Sequence, residues 1–358
     1  MRNTLLIICM AVITMSCTTT PSPTPFREDP LIGKIVNAGT GRTIGFNELA
    51  TDLQKFDVIY LSEKHDNPMH HAIQRRIIQH FIDKGRAPVI GFEFFAMADT
   101  PLLLNFIDSK AKGHPKEMDG KLEKAMRTKL GWDNQSDTMW SYYWDLLILA
   151  RDNGLKAVGL DLTSVQKRRI TRKGMDGITG IEAQQLFSTG LSNPVYETHM
   201  KSIFKSVHCG MDHGGMTAKL YGTWLARNDR MALSITQIHT DIATSAQVPD
   251  NTNGPVIVIM GNGHTEYGLG VIDRVAHINP EITQVNLGLT EIFREPVGLE
   301  AYLEPLDLEG FPPAPPADYL WFTQRTSYGD PCERFKASLQ RMKRENMKRE
   351  DVKKKPGN

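Results

Sequence analysis

Short apolar runs alternate along the chain with stretches in which apolar residues recur every three or four positions. Asp57-Val-Ile-Tyr-Leu61, Pro88-Val-Ile-Gly-Phe92, Leu155-Lys-Ala-Val-Gly-Leu160 and Pro255-Val-Ile-Val-Ile-Met260 read as four buried strands, with further strands at Thr283–Leu287 and Tyr319–Thr323. Between them the pattern predicts helices over Met69–Lys84, Pro101–Ile107, Met139–Arg151, Val165–Lys173, Trp224–Ala246 and Leu269–Ala276. Pro68 suits the first turn of the first of these, and Asn153-Gly154 stops the third. Strands that are apolar almost throughout, separated by helices, predict an α/β fold with a mostly parallel central sheet covered on both faces. Two segments break the rhythm. Lys110–Asn134 is rich in Lys, Glu, Gly and Asp and reads as a helical insertion or lid, and Gly174–Met216 is long and weakly patterned. Either could cover a pocket.

The N-terminus has a different logic. Arg2 precedes an apolar stretch, Leu5–Met15, of about the length of a signal-peptide core and too short to span a bilayer. It ends at Thr14-Met15-Ser16-Cys17, which resembles the bacterial lipobox. The resemblance implies cleavage before Cys17 and lipid on that cysteine. An ordinary signal peptide with an incidental cysteine is the alternative. Thr18–Pro30, rich in Thr, Pro and Ser, reads as a tether. The expected organisation is therefore signal peptide 1–16, lipidated cysteine and tether 17–30, one α/β domain over 31–335, and a charged tail over 336–358. The expected location is the cell envelope, anchored to the outer membrane and facing the periplasm. Cys9 leaves with the signal, so Cys209 and Cys332 remain, either as a disulfide or as two free thiols. A composition of 40% hydrophobic and 23% charged residues supports a sizeable core, and a net charge of +1 gives no basic excess for nucleic acid.

Candidate chemistry sits where the strands end. The first runs into Glu63-Lys64-His65-Asp66, the second into Glu93, the third into Asp161 and the fourth into Gly261-Asn262-Gly263-His264. In an open parallel sheet all carboxyl ends share one edge, and ligands bind there. Imidazole and carboxylate can ligate a metal or haem iron, or act as general acid and base. Helix capping and loop hydrogen bonds are the purely structural alternative. No GxGxxG, Walker A, HExxH or GxSxG pattern is present, so the common nucleotide, zincin and α/β-hydrolase readings lack their signatures.

Leu61-Ser-Glu-Lys-His-Asp-Asn-Pro-Met-His-His-Ala-Ile-Gln74 resembles the opening motif of the ChaN-like haem-binding lipoprotein family. Glu93 in Gly-Phe-Glu-Phe-Phe95, Asn228-Asp-Arg-Met-Ala232, Gly261-Asn-Gly-His-Thr-Glu-Tyr-Gly-Leu-Gly-Val271 and Asp330-Pro-Cys-Glu333 resemble its later motifs. The likeness spans roughly Ile35 to Phe335 and extends to a wider superfamily with erythromycin-esterase-like and Tiki proteins. It implies a three-layer α/β/α fold, an envelope lipoprotein, and haem or iron uptake. The implied haem-binding set is His65, His70, His71, His264, Tyr267, Glu63 and Glu93. The aromatics Phe94, Phe95, Trp132, Trp140, Tyr142, Tyr143 and Trp144 are available to flank a macrocycle. The implied partners are the membrane, an outer-membrane haem receptor, and a second copy of the chain if haem lies between two clefts. A metal-dependent hydrolase is the alternative, with a divalent ion on His65, Glu93 and His264 and with Glu63 nearby. One departure weakens it: Ser62 stands where the family has Gly. A third reading is an envelope scaffold with a vestigial site. His208-Cys-Gly-Met-Asp-His213, followed by Met216, is a second, softer metal candidate.

Overall fold

A computed structural model describes residues 28–109, 119–174, 193–212, 215–244 and 253–330, with scattered positions in 178–191 and 332–344. The signal segment, Cys17, most of the tether, residues 110–118 of the insertion and most of the charged tail lie outside the described residues.

Alternation along the strands sets the two faces of the sheet. In β3 (Val58–Glu63), Ile59 and Leu61 point one way and Val58 and Tyr60 the other, all fully buried. β4 (Ala87–Ala96), β5 (Ala157–Asp161), β6 (Asn253–Gly261), β7 (Gln284–Glu291) and β8 (Tyr319–Thr323) lie parallel with β3. A short hairpin, β1 (Ile35–Asn37) and β2 (Arg42–Ile44), adds to β8 in antiparallel sense. The order is β2-β1-β8-β7-β3-β6-β4-β5. On the face of Ile59 and Leu61 pack α1 (Phe46–Leu53), α2 (Pro68–Asp83), α3 (Thr100–Ile107) and α5 (Asp137–Asn153), through residues such as Leu49, Ile77, Phe106 and Leu147. On the face of Val58 and Tyr60 pack α8 (Met216–Thr244), through Met231, Ala232 and Ile235, and α9 (Val271–Ile278), through Val271 and Val275. Each fully buried Leu, Ile or Phe contributes about 1.5–3 kcal/mol, so a sheet covered on both sides needs strands without polar interruptions. The three-layer arrangement is the expected one.

Local signals start and stop the helices. Asn67 accepts the Met69 N–H ahead of Pro68 at the start of α2, and Gly154 ends α5 in the left-handed region. Thr163 and Gln166 form a capping box at α6 (Ser164–Lys173). The insertion carries α4 (Asp119–Lys129). The weakly patterned region holds a helix that periodicity did not reveal, α7 (Pro194–Val207). Its start is conventional, since Asn193 accepts from the Val195 and Tyr196 N–H groups, but it buries only Tyr196 and Met200. The sequence pattern predicts neither α1 nor the hairpin, whose three-residue strands carry no readable period. Cys209 and Cys332 form a disulfide, tying the end of α7 to the segment after β8. Among the described residues no helix is long and apolar enough to cross a membrane.

The topology fixes where a crevice opens. After β3 the chain crosses beyond β6 to β4, and after β6 it returns past β3 to β7. The two connections leave in opposite directions, so the carboxyl ends of β3 and β6, where Glu63 pairs with Gly261, mark the switch point.

At the sheet's outer edge a bulge in β4 carries the Ala96 carbonyl across β5, and a Cβ on Gly159 would lie 2.0 Å from that oxygen. Gly159→Ala should therefore lower stability by about 1–3 kcal/mol. The expected readout is a lower urea midpoint with an unchanged slope; an unshifted midpoint would show that the edge relaxes freely.

Candidate functional site

The end of β3 delivers Glu63 into a site with no solvent exposure. Its carboxylate accepts from the Tyr143 hydroxyl at 2.5 Å, from His65 Nδ1–H at 3.2 Å and from Gln74 Nε2–H at 2.6 Å. Burial pushes the Glu63 carboxyl up. The His65 hydrogen bond, the nearness of His71 and the Tyr143 hydroxyl outweigh it and hold the group below its ordinary value. Ser62, one residue earlier, points to the opposite face. There it donates to Asn286 Oδ1 at 2.5 Å and lies 2.6 Å from the Thr265 hydroxyl.

The end of β4 delivers Glu93. Oε1 accepts from Arg227 Nη2 and Oε2 from the Gly261 N–H, each at 2.6 Å, and His264 Nε2 lies 3.4 Å from Oε1. Burial raises this group too, but the charges of His264 and Arg227 more than offset it and hold Glu93 well below the usual carboxylate range. Arg227, on α8, also donates through Nε to Asp161 at 2.9 Å. Lys167 Nζ reaches the same Asp161 oxygen at 2.7 Å. On the next step of α8, Asn228 Oδ1 accepts from His264 Nδ1–H at 2.5 Å, and Trp224 Nε1–H donates to the Gly263 carbonyl. Sequence reasoning did not single out Arg227 or Lys167. The signal was available: Trp224, Arg227, Asn228 and Met231 form one helical stripe facing the sheet.

The four candidate imidazoles are used differently. His70 Nδ1 accepts the Lys64 N–H, which leaves Nε2–H to donate to the Thr323 hydroxyl, both at 2.9 Å in a fully buried site. His71 is buried against Tyr142, with Nε2–H on the His65 carbonyl and Nδ1 on Gln74 Oε1. His264 is buried between Asn228 and Glu93. Only His65 among the four keeps a large exposed fraction, 42% of its side chain. Its ring rests edge-on against Phe94 at 4.5 Å, and a Cβ on Gly261 would lie 2.6 Å from its Cε1. Glycine at 261 is what lets the ring lie there.

Two cavities flank this cluster. One of about 410 Å³ opens at the ends of β4 and β5, with Glu93, Phe94, Trp132, Lys129, Lys167 and Arg227 in its wall. The insertion supplies Lys129 to Trp132 to its wall. The other, of about 540 Å³, lies at the ends of β3, β6, β7 and β8 and contains Tyr267. Tyr267 is thus separated from Glu93 and placed in a different cavity. Among the described residues no group of three or more His, Cys, Asp or Glu side chains is arranged to hold a metal ion. Both oxygens of Glu93 and both of Glu63 accept hydrogen bonds from protein donors. The softer candidate loses its thiol, since Cys209 is disulfide-bonded; His208 Nδ1 donates to the Phe204 carbonyl, and His213 lies outside the described residues.

The histidines should titrate apart. Burial pushes His70 down to about 4, so the stability it contributes by staying neutral is present above pH 6.5 and is lost as pH falls toward 4. Burial lowers His65 as well, but the Glu63 hydrogen bond and the Glu93 charge raise it overall, so its contribution is present in acid and lost as pH rises through its folded value. Imidazole chemical shifts should show His65 more than half protonated at pH 6.5 and His70 neutral down to about pH 5. A shared midpoint for the two would contradict these hydrogen-bond assignments.

The sequence matches the family described as "Haem-binding uptake, Tiki superfamily, ChaN" over residues 49–275. Among solved structures, ChaN of Campylobacter jejuni, described with cofacial haem binding, superposes with a TM-score of 0.57 at 18% identity, covering 83% of this chain and 98% of that one. At that identity the likeness establishes the shared fold. The type III effector HopBA1 follows at a TM-score of 0.39 and 9% identity, covering 78% of this chain and 92% of its own. An erythromycin esterase mutant, EreC, in its open conformation gives 0.38 and 14%, covering 72% and 76%. Both scores are too low to carry an argument. Curated protein sequences yield no match. The family match takes in more than half of the chain and contains both strand ends of the switch point, so the chain belongs to the ChaN haem-binding uptake family of the Tiki superfamily.

Proposed function

We propose that this protein binds haem at the carboxyl edge of the sheet, in the cavity walled by Phe94, the ring against which His65 rests, as cargo for haem or iron uptake. Haem asks for a donor to iron, flat apolar walls and cations for two propionates. One observation carries the choice of cavity: of the side chains that line the space beside Phe94 and Trp132, three are cations, Lys129, Lys167 and Arg227, the last two also paired with Asp161 behind the wall, and two are carboxylates, Glu93 and Asp99. Burial moreover pushes Asp99 up, toward its neutral form. The cavity holding Tyr267 has the opposite balance, with Glu266, Glu291 and Glu304 against Lys64 and Arg325.

In this reading His65, held by Glu63 through Nδ1, would hold the iron through Nε2. Glu63, holding Nδ1–H, sets the tautomer and makes the free nitrogen more basic. Phe94 and Trp132 would supply the apolar walls, and Lys129 and Lys167 the positive charge for the propionates. Glu93 and His264 act behind this layer, fixing Arg227 and the Gly261 backbone. His70 and His71 support the loop between β3 and α2. The divalent-metal alternative has no metal-holding group among the described residues to support it.

The Cys209–Cys332 disulfide supports export to an oxidising compartment. Together with the lipobox resemblance at Cys17, it favours an envelope lipoprotein facing the periplasm. An outer-membrane haem receptor would then deliver the cargo, and two copies could face each other across the open cleft. Cys17→Ser should move the protein from the membrane to the soluble fraction; membrane retention of that variant would refute the anchor.

The binding test is a haemin titration followed by absorbance. The wild-type protein should give a saturable Soret shift, His65→Ala should weaken it by about tenfold or more, and a Lys129→Ala, Lys167→Ala pair by about tenfold. Tyr267→Phe should leave it unchanged. No saturable shift would end the haem reading, and loss of the shift in Tyr267→Phe alone would move the iron to the other cavity.

A further inference from the structure

The cavity at the ends of β3, β6, β7 and β8 is unused by the haem reading, and its wall has a distinct chemistry. At about 540 Å³ it is of the size that holds a small molecule. Tyr267, Phe293 and Tyr302 give it aromatic faces, the last two stacked at 4.2 Å, and Leu306, Pro305 and Pro316 add apolar surface.

Its basic groups are already balanced. Lys64 contacts Asp66, Glu291 and the Thr326 hydroxyl. Glu291 also accepts from Asn67 Nδ2 and the Thr326 N–H, and Arg325 donates to the Ile292 and Ser327 carbonyls. Its acidic groups at the Tyr267 end are not balanced. Among the described residues neither the Glu266 nor the Glu304 carboxylate has a hydrogen-bonded or ion-paired partner, and both act electrostatically on the Tyr267 hydroxyl from the same cavity wall. We propose that this cavity binds a small organic cation, an amine with an aromatic or apolar body, whose charge is held by Glu266 with Glu304 at the rim and whose body lies among Tyr267, Phe293 and Tyr302. A cation over aromatic faces in a partly dry site gains from both the ring quadrupole and the carboxylate. Burial pushes the Glu266 carboxyl up, which is the situation a bound cation relieves.

The inference does not rest on haem binding, and the test separates the two. Full-length protein is titrated calorimetrically with phenethylamine and with phenethyl alcohol, its neutral counterpart of matched shape. The amine should bind saturably and the alcohol about tenfold or more weakly, and Glu266→Gln should bring the amine down to the level of the alcohol. Glu304→Gln, a change at an exposed rim position that leaves the fold intact, should weaken the amine about threefold and leave the alcohol alone. The haemin titration should be unaltered in both variants. No saturable amine binding, equal binding of amine and alcohol, indifference to both substitutions, or displacement of the amine by haemin would each overturn the proposal.

Discussion

Arg227 carries the arrangement of the sheet's working edge. Parallel strands deliver Glu93 and Asp161 side by side into a site with almost no solvent, where two carboxylates would repel each other and both lose their hydration. One guanidinium lies between them, with Nη2 on Glu93 and Nε on Asp161. Its planar fork spans two acceptors in fixed directions, which a lysine ammonium could not do as one group. The consequences spread outward. Glu93, held in place, uses its other oxygen to fix the Gly261 backbone. Gly261, without a side chain, leaves room for the His65 ring. Because Arg227 comes from α8, the same ion pair docks that long helix against the strand ends. Removing one partner would leave an uncompensated buried charge rather than merely lose a contact.

Much of this fold is legible in the sequence because the constraint behind it is simple. A strand covered on both faces must be apolar throughout, and β3, β4, β5 and β6 are, so their positions stand out. The polar residues that end those runs then mark the site, since nothing in a parallel sheet favours Glu63, Glu93, Asp161 and His264 except the shared edge. What stayed illegible depends on small apolar stripes or on partners distant in sequence. α7 buries two side chains, too few to give a period. Arg227 reads as an ordinary helix cation until Glu93, more than a hundred residues away, is brought against it.

The imidazoles show why a list of candidate histidines cannot be ranked without the backbone. His70 and His71 adjoin each other in the chain and begin the same helix. Yet His70 accepts from a backbone N–H and must be a neutral donor at its other nitrogen, whereas His71 faces acceptors at both nitrogens. Their surroundings, not their sequence context, assign those roles. Ser62 makes the same point about a departure from the family pattern. Strand alternation turns it away from Glu63, so its hydroxyl ties β3 to β7 through Asn286 instead of entering the cleft. A side chain larger than glycine is accommodated there because it faces a polar pocket that satisfies it.

Two cavities sit on one edge of one sheet, and their walls differ in sign. The difference follows from which connections reach each end. The segments after β4 and β5 bring Lys129 and Lys167, while the turn after β6 and the short helix after β7, α10 (Glu300–Leu303), bring Glu266 and, just beyond it, Glu304. Inside a wall of low polarizability such charges are poorly screened and select ligands strongly by sign. Under the two proposals, an anionic macrocycle and an organic cation would thereby be sorted to opposite sides of the same switch point. Lys64 lines one of the two cavities, while the neighbouring His65 rests against Phe94, which lines the other.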